Sequence, residues 1–129
     1  MTLKGLKDFF KSAYGWTDSI SIGKIDGDAD KAICFYHSRF GTAKVQTTGG
    51  KQNRSYGVLS VTALLRWTRN ADDAEGKAHS VYDFFDEQNF TIDGRRAFII
   101  SRYDGPIDLG TDDNGVYEHS FEFDVYYDK

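Results

Sequence analysis

The stretch Asp-Gly-Asp-Ala-Asp places Asp26, Asp28 and Asp30 at the spacing of the first three oxygen ligands of a calcium-binding loop. Such a loop needs a glycine at its sixth position for the sharp turn and a bidentate glutamate at its twelfth. Here those positions hold Lys31 and His37. The stretch therefore reads as a solvated turn, with a calcium-dependent module using these three aspartates as an alternative. Asp112 and Asp113, in Gly-Thr-Asp-Asp-Asn-Gly, come from one turn and supply too few oxygens to hold an ion without a remote partner. They read as the end of a loop feeding a strand.

Other reactive types are equally sparse. Gly49, Gly50 and Lys51 resemble part of a phosphate-binding loop, but Val45 stands where its first glycine is required. Gln52 replaces the Ser or Thr that would hold magnesium. His37, His79 and His119 are isolated, without His-Glu-x-x-His, and no serine lies in Gly-x-Ser-x-Gly, so neither zinc hydrolysis nor an acyl-transfer elbow is indicated. Cys34, the only cysteine, lies in Ala-Ile-Cys-Phe-Tyr and reads as a small buried hydrophobe. No catalytic residue, metal ligand or cofactor site is assigned.

The elements that position these residues follow from periodicity. A chain of 129 residues with 40% hydrophobic and 16% aromatic content can bury one core, so a single domain over 1–129 is expected. Leu3, Leu6, Phe10 and Ala13 recur at helical spacing over residues 2–14, with Phe9 widening the stripe and Thr2 as N-cap. Strands are expected around 19–22 and over 31–37. Residues 38–57 are glycine-rich and aperiodic, which predicts a long mobile loop with a short strand near 44–47. From Tyr56 to Arg69 the period is two, with Leu59, Val61, Ala63, Leu65 and Trp67 on one face.

Asn70 caps a second helix whose first turn carries Asp72, Asp73 and Glu75, and whose apolar face is Ala74, Ala78, Val81 and Phe85, with Asn89 closing it. Asp93-Gly94 between two apolar runs predicts a hairpin, and its second arm, Ala97 to Tyr103, is apolar on both faces, as in the middle of a sheet. Residues 116–127 alternate: Tyr117, His119, Phe121, Phe123, Val125 and Tyr127 against Glu118, Ser120, Glu122 and Asp124. His119 on the apolar face reads as a hydrogen-bonded core residue. The sum is an α+β fold: a mixed, mostly antiparallel sheet with two helices packed on one face.

Charge is segregated along the chain. Arg39, Lys44, Lys51, Arg54, Arg66 and Arg69 span a segment without an acidic residue, while Asp104 to Asp128 carries many carboxylates and no Lys or Arg. Two consequences stay open: neutralisation within one monomer on neighbouring strands, or a head-to-tail interface between copies that closes a ring. The formal net charge of −4 is the wrong sign for gripping phosphates, so no sequence-specific nucleic-acid partner is expected. An acidic lining would instead let DNA slide past. No apolar stretch has membrane-spanning length and no export signal is visible, so no membrane partner is expected.

Four pieces carry a family likeness: the short N-terminal helix, the strand pair ending in Lys-Ala-Ile-Cys-Phe-Tyr-His, the strand and helix from Tyr56 to Phe85, and Ile92 to Tyr127. The last includes a Pro-x-x-x-Gly-x-Asp loop before the aromatic-rich final strand. Together they resemble the minor capsid proteins of phages that infect Gram-positive bacteria, a group similar to the tail terminators of long-tailed phages. The resemblance implies a non-enzymatic virion protein, assembled in the host bacterial cytoplasm. It would be a subunit of a hexameric ring that caps the tail tube and meets the head connector. Gly49, Gly50, Lys51 and Arg54 would then form a tube-facing or ring-facing arm. Arg66, Arg69, Glu118, Glu122 and Asp124 are the further candidates for subunit or tube contact. The alternative is a small-ligand binder or enzyme of the cone-shaped α+β kind, with Trp67, Tyr117, Phe121 and Phe123 lining a pocket.

Overall fold

The computed structural model describes residues 1–39 and 56–129, and the expected arm residues Gly49, Gly50, Lys51 and Arg54, with the strand expected near 44–47, lie outside them. In chain order the elements are α1 (Leu3–Phe10), a π-turn (Lys11–Gly15), β1 (Ser19–Ile22), β2 (Lys31–His37), β3 (Tyr56–Trp67), α2 (Ala71–Phe85), β4 (Asn89–Ile92), β5 (Arg95–Ser101), β6 (Ile107–Thr111) and β7 (Tyr117–Asp128). The strands form one sheet in the order β1-β2-β3-β7-β5-β4, and β6 also pairs with β7. Among the described strands only β1 and β2 run parallel; the other pairs are antiparallel. A parallel pair normally needs a long crossover. Here β1 is 4 residues long, so residues 23–30 retrace only about 13 Å, which extended chain covers easily.

The centre of the sheet is β3 against β7, in register from Tyr56 opposite Asp128 to Arg66 opposite Glu118. Their period-two sequences place Leu59, Val61, Ala63 and Leu65, with Phe121, Phe123 and Val125, on one buried face. Both helices cover that face. Phe85 of α2 stacks between Phe123 at 4.7 Å and Phe10 of α1 at 5.3 Å, so one aromatic column ties both helices to the central strands. Each such ring contributes about 1.5–3 kcal/mol by leaving water.

Local chemistry fixes the helix ends. Thr2 Oγ1 accepts a hydrogen bond from the Gly5 amide at 3.2 Å, the expected N-cap. The expected stripe breaks at Ala13, which is exposed: the π-turn after Phe10 widens the helix by one residue and rotates Ala13 outward, and Trp16 fills the core instead. Asn70 Oδ1 accepts from the amides of Asp72 and Asp73, as its capping role requires. The other end differs from expectation. Helix α2 stops at Phe85, Glu87 takes a left-handed φ of 53°, and Asn89 starts β4. The hairpin forms as expected, with Asp93 and Gly94 at φ of 55° and 76°, the two positive angles of a type I′ turn.

Strand β5 is interior, between β7 and β4, yet Phe98 and Ile100 stay exposed because the helices cover only the opposite face. Sequence reading assigned no strand to Ile107–Thr111, which the structure shows as β6. Cys34 is fully buried and free.

Candidate functional site

Register places a second set of side chains on the face of the sheet away from the helices. Along β3 these are Val58, Ser60, Thr62, Leu64 and Arg66; along β7, Tyr126, Asp124, Glu122, Ser120 and Glu118 stand opposite them in that order. The two strands therefore bring basic and acidic segments side by side. Ser60 Oγ donates to Asp124 Oδ1 at 2.6 Å, and Arg102 Nη2 donates to the same oxygen at 2.8 Å. One step along, Thr62 Oγ1 donates to Glu122 Oε1 at 3.1 Å and the Tyr103 hydroxyl donates to Glu122 Oε2 at 2.8 Å. That last bond holds the Tyr103 phenol above its usual pKa, because ionising it would set two anions together.

At the far end Arg66 Nη2 meets Asp112 Oδ2 at 2.6 Å, with Arg66 nearly buried. Asp112 Oδ1 accepts the amides of Asn114 and Val116, both at 2.9 Å, which closes the turn before β7. Those amides, Val116 first, together with Arg66, hold the Asp112 carboxyl below its ordinary pKa. Arg69 Nε donates to the Asn114 carbonyl at 2.9 Å and its Nη1 lies 3.8 Å from Asp30. The loop that contains Asp112 is thus clamped by two arginines of the basic segment.

The structure brings Arg66, Glu118, Glu122 and Asp124 onto one face and places Arg69 beyond the end of β3. Sequence reasoning missed Ser60, Arg102 and Tyr103 as partners of those carboxylates, and missed the apolar strip beside them. Phe98, Ile100, Tyr103, Ile107 and Leu109 are all exposed. The available signal was the apolar character of Ala97 to Tyr103 on both faces, which marks either a buried central strand or an uncovered patch.

Candidate metal and pocket residues have other positions. Asp26 Oδ1 accepts the Asp28 amide at 3.0 Å and Oδ2 takes the Ser19 hydroxyl at 3.4 Å, so Asp26 serves its own turn. Among the described residues no three His, Cys, Asp or Glu side chains converge as metal ligands. Phe121 and Phe123 are fully buried and pack on Phe85, and Trp67 lies 5.4 Å from Trp16, so these aromatics fill the core. His119 is buried as expected, but its Nδ1 has no hydrogen-bond partner among the described residues, contrary to expectation.

A sequence profile of bacteriophage tail terminator proteins matches residues 11–129, from the π-turn through the last strand. The chain belongs to the bacteriophage tail terminator family. This is a structural phage protein family with a role in tail completion, which makes the tail terminator a virion component that interacts with other virion components. No curated protein and no solved structure shows a significant match to this terminator. No described helix is long and apolar enough to cross a membrane.

Proposed function

We propose that the chain is a single-domain subunit of a hexameric ring that caps the tail tube at the head–tail junction, in the manner of the minor capsid proteins it resembles. Membership of the tail terminator family carries this reading. The exposed apolar side chains Phe98, Ile100, Ile107 and Leu109 support it, because several large apolar residues left exposed near a fixed polar ladder suit contact with another protein. The tail tube and the head connector are the heterologous partners, assembly takes place in the bacterial cytoplasm, and the protein performs no catalysis. The carboxylates of β7 give the ring an acidic contribution that weakens adhesion of passing DNA. Glu118, Glu122 and Asp124, with Arg66 and Arg69, act in this reading by shaping the contact face. Their partners within the monomer pre-organise it.

Gold labelling of an affinity-tagged copy in purified phage particles tests the location. Label at the junction of head and tail is expected; label along the tail shaft, at its distal tip, or on the capsid shell alone would overturn the reading.

A further inference from the structure

Two exposed features at opposite ends of β7 have complementary chemistry. The first is a depression of about 480 Å³ on the outer face, floored by Phe98, Tyr126 and Tyr56 and rimmed by Arg96 and Asp128. Arg96 is 86% exposed, and only its Nε is engaged among the described residues, by Asp128 Oδ2 at 2.6 Å. Its Nη groups are positioned to donate to a second carboxylate, since a guanidinium carries five donors.

The second feature is the edge strand β6. Asp108 Oδ1 accepts the Gly110 amide at 2.8 Å and props up a bulge, in which Gly110 has φ of +83°. The bulge leaves Leu109 53% exposed, with Ile107 also exposed beside it. Only Oδ1 of Asp108 is engaged among the described residues. No described strand covers the outer edge of β6. The feature is therefore an apolar knob with an accepting carboxylate, and the depression is an aromatic cup with a donating guanidinium.

One copy cannot join its own two features. Strand β6 lies against Tyr117–Ser120, whereas the cup lies against Tyr126–Asp128. Six residue steps along β7, about 20 Å at about 3.4 Å per step, separate Ser120 from Tyr126. Different patches that fit each other between copies make a heterologous contact, the type that closes rings.

We infer that Leu109 and Ile107 of one copy seat in the Phe98–Tyr126 depression of a second copy, with Asp108 of the first meeting Arg96 of the second. This rests on the ring-forming reading above and specifies which surfaces meet. The occupant is a second copy because the cup's unused donors and its apolar floor match the knob's unused acceptor and its leucine. Both Phe98 and Leu109 are solvent-facing, so substituting them leaves the core intact.

Cysteine cross-linking traps the contact even where association is weak, and Cys34 is buried and does not compete. Under oxidation the double variant Phe98→Cys/Leu109→Cys is expected to give a ladder of covalent oligomers, and a mixture of the two single variants only covalent pairs. Each single variant alone is expected to give no cross-linked product. Absence of a ladder from the double variant, or cross-linked dimers from either single variant alone, overturns the proposed contact. Electron microscopy separates the two claims: closed wild-type rings without a ladder retain the ring and discard this contact. A ladder of open chains without closed rings retains the contact and discards the ring.

Discussion

Arg66 of β3 and Asp112 of the loop before β7 meet at 2.6 Å, and the same carboxylate caps its own turn through two amides. One aspartate thus does two separable jobs. Asp112→Asn keeps an oxygen for the Asn114 and Val116 amides but loses the ion pair, whereas Asp112→Ala loses both. Melting temperature is expected to fall in the order wild type, Asp112→Asn, Asp112→Ala. Arg66→Met is expected to cost less than Asp112→Ala, since it removes the nearly buried charge instead of stranding it. Thermal denaturation followed by circular dichroism reads the order.

The pH dependence has a definite sign. The folded state holds the Asp112 carboxyl below its unfolded value of 3.8, so its contribution is present above that value and is lost as pH falls through the lower folded pKa. The difference in melting temperature between wild type and Asp112→Asn is expected to be constant near neutrality and to shrink below about pH 4. A difference that grew on acidification would contradict the assignment.

Thr68 follows β3 directly at φ of 47°, a left-handed angle that a β-branched residue tolerates poorly. It stays there because its amide donates to the Asp30 carbonyl at 3.1 Å and its carbonyl accepts from the Tyr117 amide at 3.0 Å. Thr68→Asn keeps both backbone bonds and relieves the side-chain strain. A gain of about 1 kcal/mol is expected in urea unfolding.

Gly57 stands opposite Tyr127, and a Cβ there would approach the tyrosine ring to 2.6 Å. Gly57→Ala must push the ring off the strand and is expected to cost about 1–3 kcal/mol by overpacking. Adding Tyr127→Ser to that variant should recover part of the loss; a double variant that is strictly additive would show that the two do not touch.

The Lys77 ammonium lies 4.6 Å from the Trp67 ring, 4.8 Å from Tyr14 and 5.1 Å from Trp16, tying α2 to the π-turn and to β3. Lys77→Met, with similar length and no charge, is expected to lose about 1 kcal/mol, while Lys77→Arg loses less. Equal effects of both substitutions in chemical denaturation would show that packing, not charge, holds this corner.

The elements whose signal is local in sequence were legible. Strands β3 and β7 show their period-two faces, α2 its cap and stripe, and Asp93-Gly94 its turn type. What sequence hid depends on partners far along the chain. Strand β6 has no buried side chain and contains a bulge, so Ile107 to Thr111 carries no alternation to read. The π-turn displaced Ala13 because a wider turn depends on tertiary packing of Trp16. Charge segregation forecast opposite signs meeting between β3 and the acidic segment. It could not tell that Asp124 would take Arg102, because that pairing depends on the β5–β7 register. Arg66 and Asp112 supply the intramolecular neutralisation that sequence had left open beside the interface between copies.

Native mass distinguishes a ring-forming subunit from a monomer. Light scattering over a wide concentration range, followed by electron microscopy of any large species, should be carried out on the protein alone and after addition to tail tubes. A closed hexameric ring in solution or on the tube end is the predicted result. A protein that remains monomeric in solution and is also recovered only as monomer from purified tails would contradict it.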